Sequence, residues 1–422
     1  MPAHAPAEFR SDVVVVGAGP VGLTLAAALG GAGLRVALLD RADPDAQAAP
    51  GVDGRTTAIA AGSRRVLEGT GVWPALAGDA CPIASIRVAD GGSPLFVHYD
   101  AAEIGDEPLG HIVDNHALRR ALLDRVRALP AVRLLAPAAI VGLVRGPAAV
   151  TVRLADGETL HAAVVLACDG RRSALRTEAG IAAAEWSYGQ DAIVCTAHHE
   201  HPHGNVAVEH FRPDGPFAML PMSDATPEAA RAAGGLVHRS SIVWTERADL
   251  APAFATLPRA EFEHELARRF GDRLGRLAVP GRVWRHPLAL THAERYVDHR
   301  LALVGDAAHA IHPIAGQGLN MGFRDVAALA ELLVDARRNG LDIGAPDVLA
   351  GYQRWRRFDN TVLAVVTDAL NRLFSNDIAP LRTVRRMGFG AVQRMAPARR
   401  LFMRHAMGVV GDLPRLVRGE AL

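Results

Sequence analysis

The chain has 422 residues, half of them hydrophobic, and a formal net charge of +1. That length leads to an expectation of two or three structural units rather than one, and the balanced charge offers no footing for nucleic acid. All basic positions other than histidine are arginine, which is read as genome composition, and the three cysteines (Cys81, Cys168, Cys195) lack a CxxC spacing and read as small buried hydrophobes.

The N-terminal MPAHAPAEFRSD has no signal-peptide core, and no stretch of about 18 apolar residues follows it, so a cytoplasmic protein, soluble or peripheral to a membrane, is expected. The segment 12–40 then reads DVVVVGAGPVGLTLAAALGGAGLRVALLD. Four consecutive valines, 13–16, have the composition of a strand buried on both faces of a parallel sheet. A glycine turn (Gly17, Gly19, Gly22), a helix and a second buried strand closed by Asp40 follow. In that order Gly17 permits the tight turn, Gly19 lets a pyrophosphate approach the backbone and Gly22 lets helix and strand pack closely. The anion would sit at the helix N-terminus, and Asp40 is spaced to accept hydrogen bonds from a ribose diol. A dinucleotide site is the reading.

After a polar loop, 41–54, Arg55 to Ala60 lead into a helical stretch bearing Val66, Leu67 and Trp73. Arg55 is either a surface cation or a guanidinium beside the cofactor. Residues 81–110 read as short strands with turns, one of them Asp90-Gly91-Gly92, and a helix is expected over 115–128. Strands are expected over 132–135, 140–144, 150–154 and 161–167, with a hairpin turn at 155–158. The last of them delivers Asp169-Gly170 at its C-terminal end, where open α/β sheets bind ligands.

Residues 181–284 change character to strand-like segments (192–196, 206–211, 217–220, 240–244) with one helix, 259–270, as expected of an antiparallel unit. His198, His199, His201 and His203 lack a metal-like partner set and read as a solvated loop. A third buried strand ends in Gly305-Asp306, and Pro313 and Gly316-Gln317-Gly318-Leu319-Asn320 then open a helix whose positive end suits a ring that gains charge on reduction. From Asp347 the chain reads as helical. After residue 380, Arg382, Arg385, Arg386, Arg394, Arg399, Arg400, Arg404, Arg415 and Arg418 face only Asp412 and Glu420, with Met387, Phe389, Val392, Met395, Leu401, Phe402 and Met403 interleaved. This is either a solvated helical tail or a basic amphipathic surface for a membrane or a partner.

With these three glycine-and-acid motifs in this order, the chain resembles the aromatic-ring flavin monooxygenases of the p-hydroxybenzoate hydroxylase type. Within them, DGRTTAIAAGSRRVLEGTGVW (53–73), HIVDNHALRRAL (111–122), GPFAMLPM (215–222), SSIVWTERAD (240–249) and GDAAHAIHPIAGQGLNMGFRD (305–325) are similar to the ubiquinone-biosynthesis hydroxylases. The resemblance implies an α/β fold: a Rossmann-like FAD-binding domain (1–80, 100–180, 285–345), an antiparallel-sheet substrate domain (81–99, 181–284) and C-terminal helices (346–422). It implies FAD in the glycine turn. Gly17, Gly19 and Gly22 would hold the pyrophosphate, and Asp40 with Arg41 the adenosine ribose. Arg55 and Asn115 match flavin-contacting positions, and Asp169-Gly170 a motif tied to both FAD and the nicotinamide donor. Gly305-Asp306 would bind the ribityl or pyrophosphate region. Pro313, Gly316, Gln317, Gly318, Leu319 and Asn320 would line the isoalloxazine.

NAD(P)H would visit transiently, since only one GxGxxG is present. The implied reaction hydroxylates a polyprenylated phenol with O2, through a flavin C4a-hydroperoxide in a dry site. Phe217, Met219, Leu220, Pro221 and Met222 are the candidates for the dry wall; no residue is assigned as catalytic base. The alternatives are hydroxylation of a small aromatic acid, for which tyrosine is scarce, and a non-catalytic FAD-binding subunit of a biosynthetic complex.

Overall fold

A computed structural model describes residues 10–91, 96–375, 385, 388, 390 and 392–422. Gly92 of the expected 90–92 turn, and Arg382, Arg386, Met387 and Phe389 of the basic tail, lie outside the described residues.

The four valines form the strand Val13–Val16, paired in parallel with Val36–Leu39 on one side and Val164–Ala167 on the other. Val13, Val14 and Val15 are fully buried, as a strand covered on both faces requires. Leu301–Leu303 and Val132–Leu135 extend this sheet in parallel, and Val297–Asp298 adds an antiparallel edge, making six strands. The helices Pro20–Gly31, Asn115–Arg127 and Gln317–Arg338 pack around it through a single large core that includes Leu25, Leu122 and Val326.

A second, nine-stranded sheet is built mainly from antiparallel strands around Ala183–His199. It takes in His238–Arg247, Gly215–Met222, Val206–Arg212 and Trp284–Ala293, and Ser85–Asp90 joins in parallel. Successive residues of these strands alternate between two faces. Ile193, Cys195, Phe217, Met219, Ile242 and Trp244 point to one face, which helices Ala251–Ala255 and Arg259–Phe270 cover. Ala192, Val194, Ala218, Leu220 and Val243 point to the other, which lines a cavity. A small antiparallel sheet of Thr56–Ala60, Gly110–Asp114 and Cys81–Ile83 is tied to the nine-stranded sheet where Thr56 Oγ1 donates to Ser241 Oγ at 2.8 Å.

His198 and His199 correct the loop expectation: they end the Ala183–His199 strand and are buried. Their ring nitrogens serve the backbone and a hydroxyl, His198 Nδ1 with the Leu236 carbonyl and His199 Nε2 with Ser240 Oγ. All three cysteines are buried and free. The chain ends in the long helix Pro346–Phe374 and the shorter Ala396–Ala406 and Arg415–Arg418. Among the described residues no helix is long and apolar enough to cross a membrane.

Candidate active site

Strand register assembles the site. Val16 pairs with Ala167, and Ala167 with Leu303, so the three strands end side by side. Gly17, Asp169 and Asp306 therefore converge on one edge of the six-stranded sheet, at a cavity of about 2010 Å³ that all three line. The glycines of the first turn divide their work. Gly17 has φ +106°, and a Cβ there would stand 2.3 Å from the Cys168 carbonyl oxygen. A Cβ on Gly22 would stand 1.8 Å from the Gly17 carbonyl oxygen. Among the described residues a Cβ on Gly19 would meet nothing within 4 Å, which leaves this position open for a ligand. The helix that starts at Pro20 has no side-chain cap, leaving N–H groups directed at the cavity.

Asp40 also holds the turn itself. One carboxylate oxygen accepts from Ala18 N at 2.7 Å and the other from Ala42 N at 2.8 Å. A carboxylate has further lone pairs, so it can still accept from a ribose. Arg41 stands exposed on the same wall.

Arg55 and Asn115 belong to one cluster. Arg55 is bidentate to Asp53, at 2.9 and 2.8 Å. Asn115 Nδ2 donates to Asp53 at 3.2 Å while its Oδ1 accepts from Thr57 Oγ1 at 2.6 Å. Burial alone would raise the Asp53 carboxyl, but the Arg55 bonds and charge outweigh it and hold Asp53 well below the usual carboxylate range. Asp53 in turn raises Arg55, which keeps a permanent cation on the wall. Asp306 lies deep in the protein with its carboxylate open to the cavity; its surroundings raise its pKa, only partly offset by His309, Arg55 and Arg171. Asp169 Oδ2 accepts from Leu175 N, whereas Oδ1 is buried without a partner among the described residues.

The second glycine loop faces the first. Gly316 has φ +62°, and Gly318 opens on empty space like Gly19. Pro313, Gln317 and Leu319 line the cavity beside them. Asn320 is buried and committed to the backbone: Nδ2 donates to Ala58 O at 2.7 Å and Gly316 O at 3.0 Å, and Oδ1 accepts from Ala60 N at 2.9 Å. It fixes the loop against the strand Thr56–Ala60.

Beneath Gly305-Asp306 lies a buried charged network that sequence reasoning missed. Asp325 Oδ2 accepts from His309 Nε2 at 2.5 Å and from Gly305 N at 3.2 Å; Oδ1 accepts from Arg356 Nε and Asn360 Nδ2, both at 3.0 Å. Burial works against this carboxylate, yet His309 and Arg356 keep it below its ordinary range. Arg356 and Asn360, one helical turn apart on a distant helix, gave no local signal. His309 and Asp325 stand within the 305–325 stretch and were readable only as part of it.

The dry-wall expectation is corrected by strand parity. Of the expected residues only Leu220 lines the cavity, together with Pro216 and Ala218. Phe217 and Met219 point into the opposite core, against Trp244 and Phe262. Pro221 does not reach the cavity, and Met222 packs in a cluster with Ile83, Ile112 and Met403. Polar residues that sequence reasoning missed also line the space, among them His286, Thr245 and Arg324. Burial lowers His286 and pushes Arg324 down to about 10. A lone histidine in a strand and a lone arginine in a helix carry no signal by themselves.

These residues fit a flavin dinucleotide. Two uncapped helix N-termini, two glycines without neighbours, a half-satisfied Asp169 and an open Asp306 share one cavity, and its volume exceeds the roughly 300–1,000 Å³ of an ordinary ligand site. A model of the FAD binding domain matches residues 10–357. The ubiquinone hydroxylase UbiL of Rhodospirillum rubrum is 52% identical, over 100% of this chain and 96% of its own. The 3-demethoxyubiquinol 3-hydroxylase of Escherichia coli is 34% identical, over 94% of this chain and 99% of its own. Among solved structures, p-nitrophenol 4-monooxygenase PnpA from Pseudomonas putida superimposes with a TM-score of 0.76 at 21% identity, over 95% and 99% of the two chains, and shares the fold. The chain belongs to the FAD-binding family of flavin-dependent monooxygenases that contains the ubiquinone hydroxylases.

Proposed function

We propose that this chain hydroxylates the aromatic ring of a polyprenylated phenol in ubiquinone biosynthesis, drawing on NAD(P)H and O2. The observation that carries the reading is the cavity, which runs on from the glycine turns along an apolar arm between Ala218, Leu220, Val243 and Leu288 of the nine-stranded sheet and Leu363, Val366 and Leu370 of the long helix. A small aromatic acid would leave most of that arm unused, whereas an isoprenoid tail fills it. The names of the relatives point the same way.

In this reading the six-stranded sheet with its helices is the FAD-binding unit and the nine-stranded sheet faces the substrate. Gly17, Gly19 and Gly22 hold the pyrophosphate, Asp40 and Arg41 the adenosine ribose, and Asp169, Gly170, Gly305 and Asp306 the chain between the rings. Arg55, just before the strand Thr56–Ala60, and Asn115, at the start of the Asn115–Arg127 helix, would approach the flavin. Pro313 and residues 316–320 form the floor for the isoalloxazine, where the N-terminus of the Gln317–Arg338 helix stabilises negative charge. Bound FAD supplies acceptance of hydride from NAD(P)H and the activation of O2. The protein's part is to orient the phenol and keep water away, and the apolar residues of the arm do the second.

A substrate of this class is dissolved in a membrane, so the protein works on the cytoplasmic side, peripheral to the inner membrane. Its basic C-terminal helices meet that surface or a biosynthetic complex. Mass spectrometry of quinone lipids from cells lacking the gene tests the function. A polyprenylated phenol short of a ring hydroxyl accumulates if the reading is right; unchanged quinone with no precursor, in a strain with no second hydroxylase, contradicts it.

A further inference from the structure

The apolar arm opens on a surface of unusual character. Along the Pro346–Phe374 helix, Phe358, Val362, Val365 and Val366 are 74%, 45%, 62% and 46% exposed. Their spacing places them on one face. Leu401 and Phe402 of the Ala396–Ala406 helix are half-exposed as well. Phe358, Val362, Val366 and Phe402 also line the cavity, so the same side chains are its wall and its outer lip. Trp355 Nε1 of the long helix donates to Asp412 O, in the segment that follows the shorter helix, at 2.9 Å, and Gln317 Nε2 of the Gln317–Arg338 helix donates to Ala406 O at the end of the shorter helix at 3.2 Å.

Charge around the lip is one-sided. Arg354, Arg357, Arg394, Arg400 and Arg404 are exposed and form no ion pair among the described residues. The acids nearest them on the long helix are already engaged, Asp359 by Arg356 and Asp368 by Arg372. An apolar stripe ringed by unpaired cations complements an anionic lipid surface, in which the apolar residues reach the acyl boundary and the guanidinium groups meet phosphates.

We propose that the face formed by Phe358, Val362, Val365, Val366, Leu401 and Phe402, with its arginine rim, docks on an anionic bilayer, and that the cavity draws its substrate directly out of that bilayer through this lip. The proposal rests on the polyprenyl-phenol reading. It locates the membrane contact on the long helix at the cavity mouth rather than on a basic tail alone.

The test is sedimentation of the FAD-loaded, full-length protein with vesicles of phosphatidylcholine, with and without phosphatidylglycerol. Wild type is expected to bind the anionic vesicles and to lose them as salt rises. Val365→Asp with Leu401→Asp, at exposed positions outside the cavity wall, is expected to bind at least tenfold more weakly. NAD(P)H oxidation driven by a water-soluble, short-chain phenol should be unchanged. Arg400→Gln and Arg404→Gln, which put no charge on an apolar face, should each weaken binding roughly fivefold. Wild type that ignores both kinds of vesicle overturns the proposal, as do variants that bind like wild type. So does a solution dimer that Val365→Asp dissociates, or a need for a lipid-carrying protein in place of vesicles. Vesicle binding with no turnover of any phenol instead overturns the substrate reading and leaves the docking face standing.

Discussion

Replacing Asp325 by asparagine separates the network beneath the Gly305-Asp306 turn from its charge without changing its size. The carboxylate accepts four hydrogen bonds, two on each oxygen. An amide offers one oxygen, so its NH2 must face either Gly305 N–H and His309 or Arg356 and Asn360. Either choice leaves donors opposed in a fully buried place. Breaking a buried ion pair costs about 3–5 kcal/mol, and Arg356 retains Asp359 at 3.0 Å, so the low end, about 3 kcal/mol, applies. With roughly 2.1 cal/mol/K of unfolding entropy per residue over the 422 residues, this lowers the melting temperature by about 3 °C. Because Asp325 anchors the Gly305 N–H, the FAD dissociation constant should rise about tenfold as well. Calorimetry of the FAD-free protein and a fluorescence titration with FAD read the two effects. A variant that melts within about 1 °C of wild type and binds FAD normally would refute the claim that this network holds the turn.

The two faces of the first glycine turn separate in a pair of variants. Gly22→Ala puts a Cβ onto the Gly17 carbonyl and should destabilise the FAD-free protein by at least about 3 kcal/mol, seen in urea unfolding, whereas Gly19→Ala should leave that stability unchanged and weaken FAD binding tenfold or more. On the Gly215–Met222 strand, Phe217→Ala should cost about 3–5 kcal/mol with little effect on substrate preference, and Ala218→Phe should spare stability but suppress turnover of long-tailed phenols relative to short ones. Burial pushes His199 and His312 down to about 4. Such depressed histidines contribute stability that is complete above the unfolded value near 6.5 and is lost as pH falls toward 4. His312→Phe, which also replaces two ring nitrogens without a partner among the described residues, should therefore flatten the fall in melting temperature between about pH 6.5 and 4.

The strand, glycine turn, helix, strand and acid of residues 12–40 were legible because each part is local: four valines make a buried strand and a run of glycines breaks it. The convergence of Gly17, Asp169 and Asp306 was legible by type, as acids placed after buried strands, and the register supplies their adjacency. Strand parity was not legible in 215–222. One face is covered by helices and the other lines an apolar cavity, so both carry apolar residues and no alternation marks which is which. The Asp325 network spans residues 305–360 across three elements, and a buried ion pair leaves no periodic trace in the sequence. His198 and His199 read as polar only until their neighbours are known, because the strand continues through them and backbone and hydroxyl partners meet their nitrogens.

Ring hydroxylation of a phenol carrying an isoprenoid tail is tested most directly with purified FAD-loaded protein, NAD(P)H, a short-chain prenylated phenol and isotopically heavy O2. A product heavier by one oxygen atom drawn from O2, formed in step with NAD(P)H consumption, is the expected result. NAD(P)H consumption that yields only hydrogen peroxide with every prenylated phenol tried, while a small aromatic acid is hydroxylated, would contradict it.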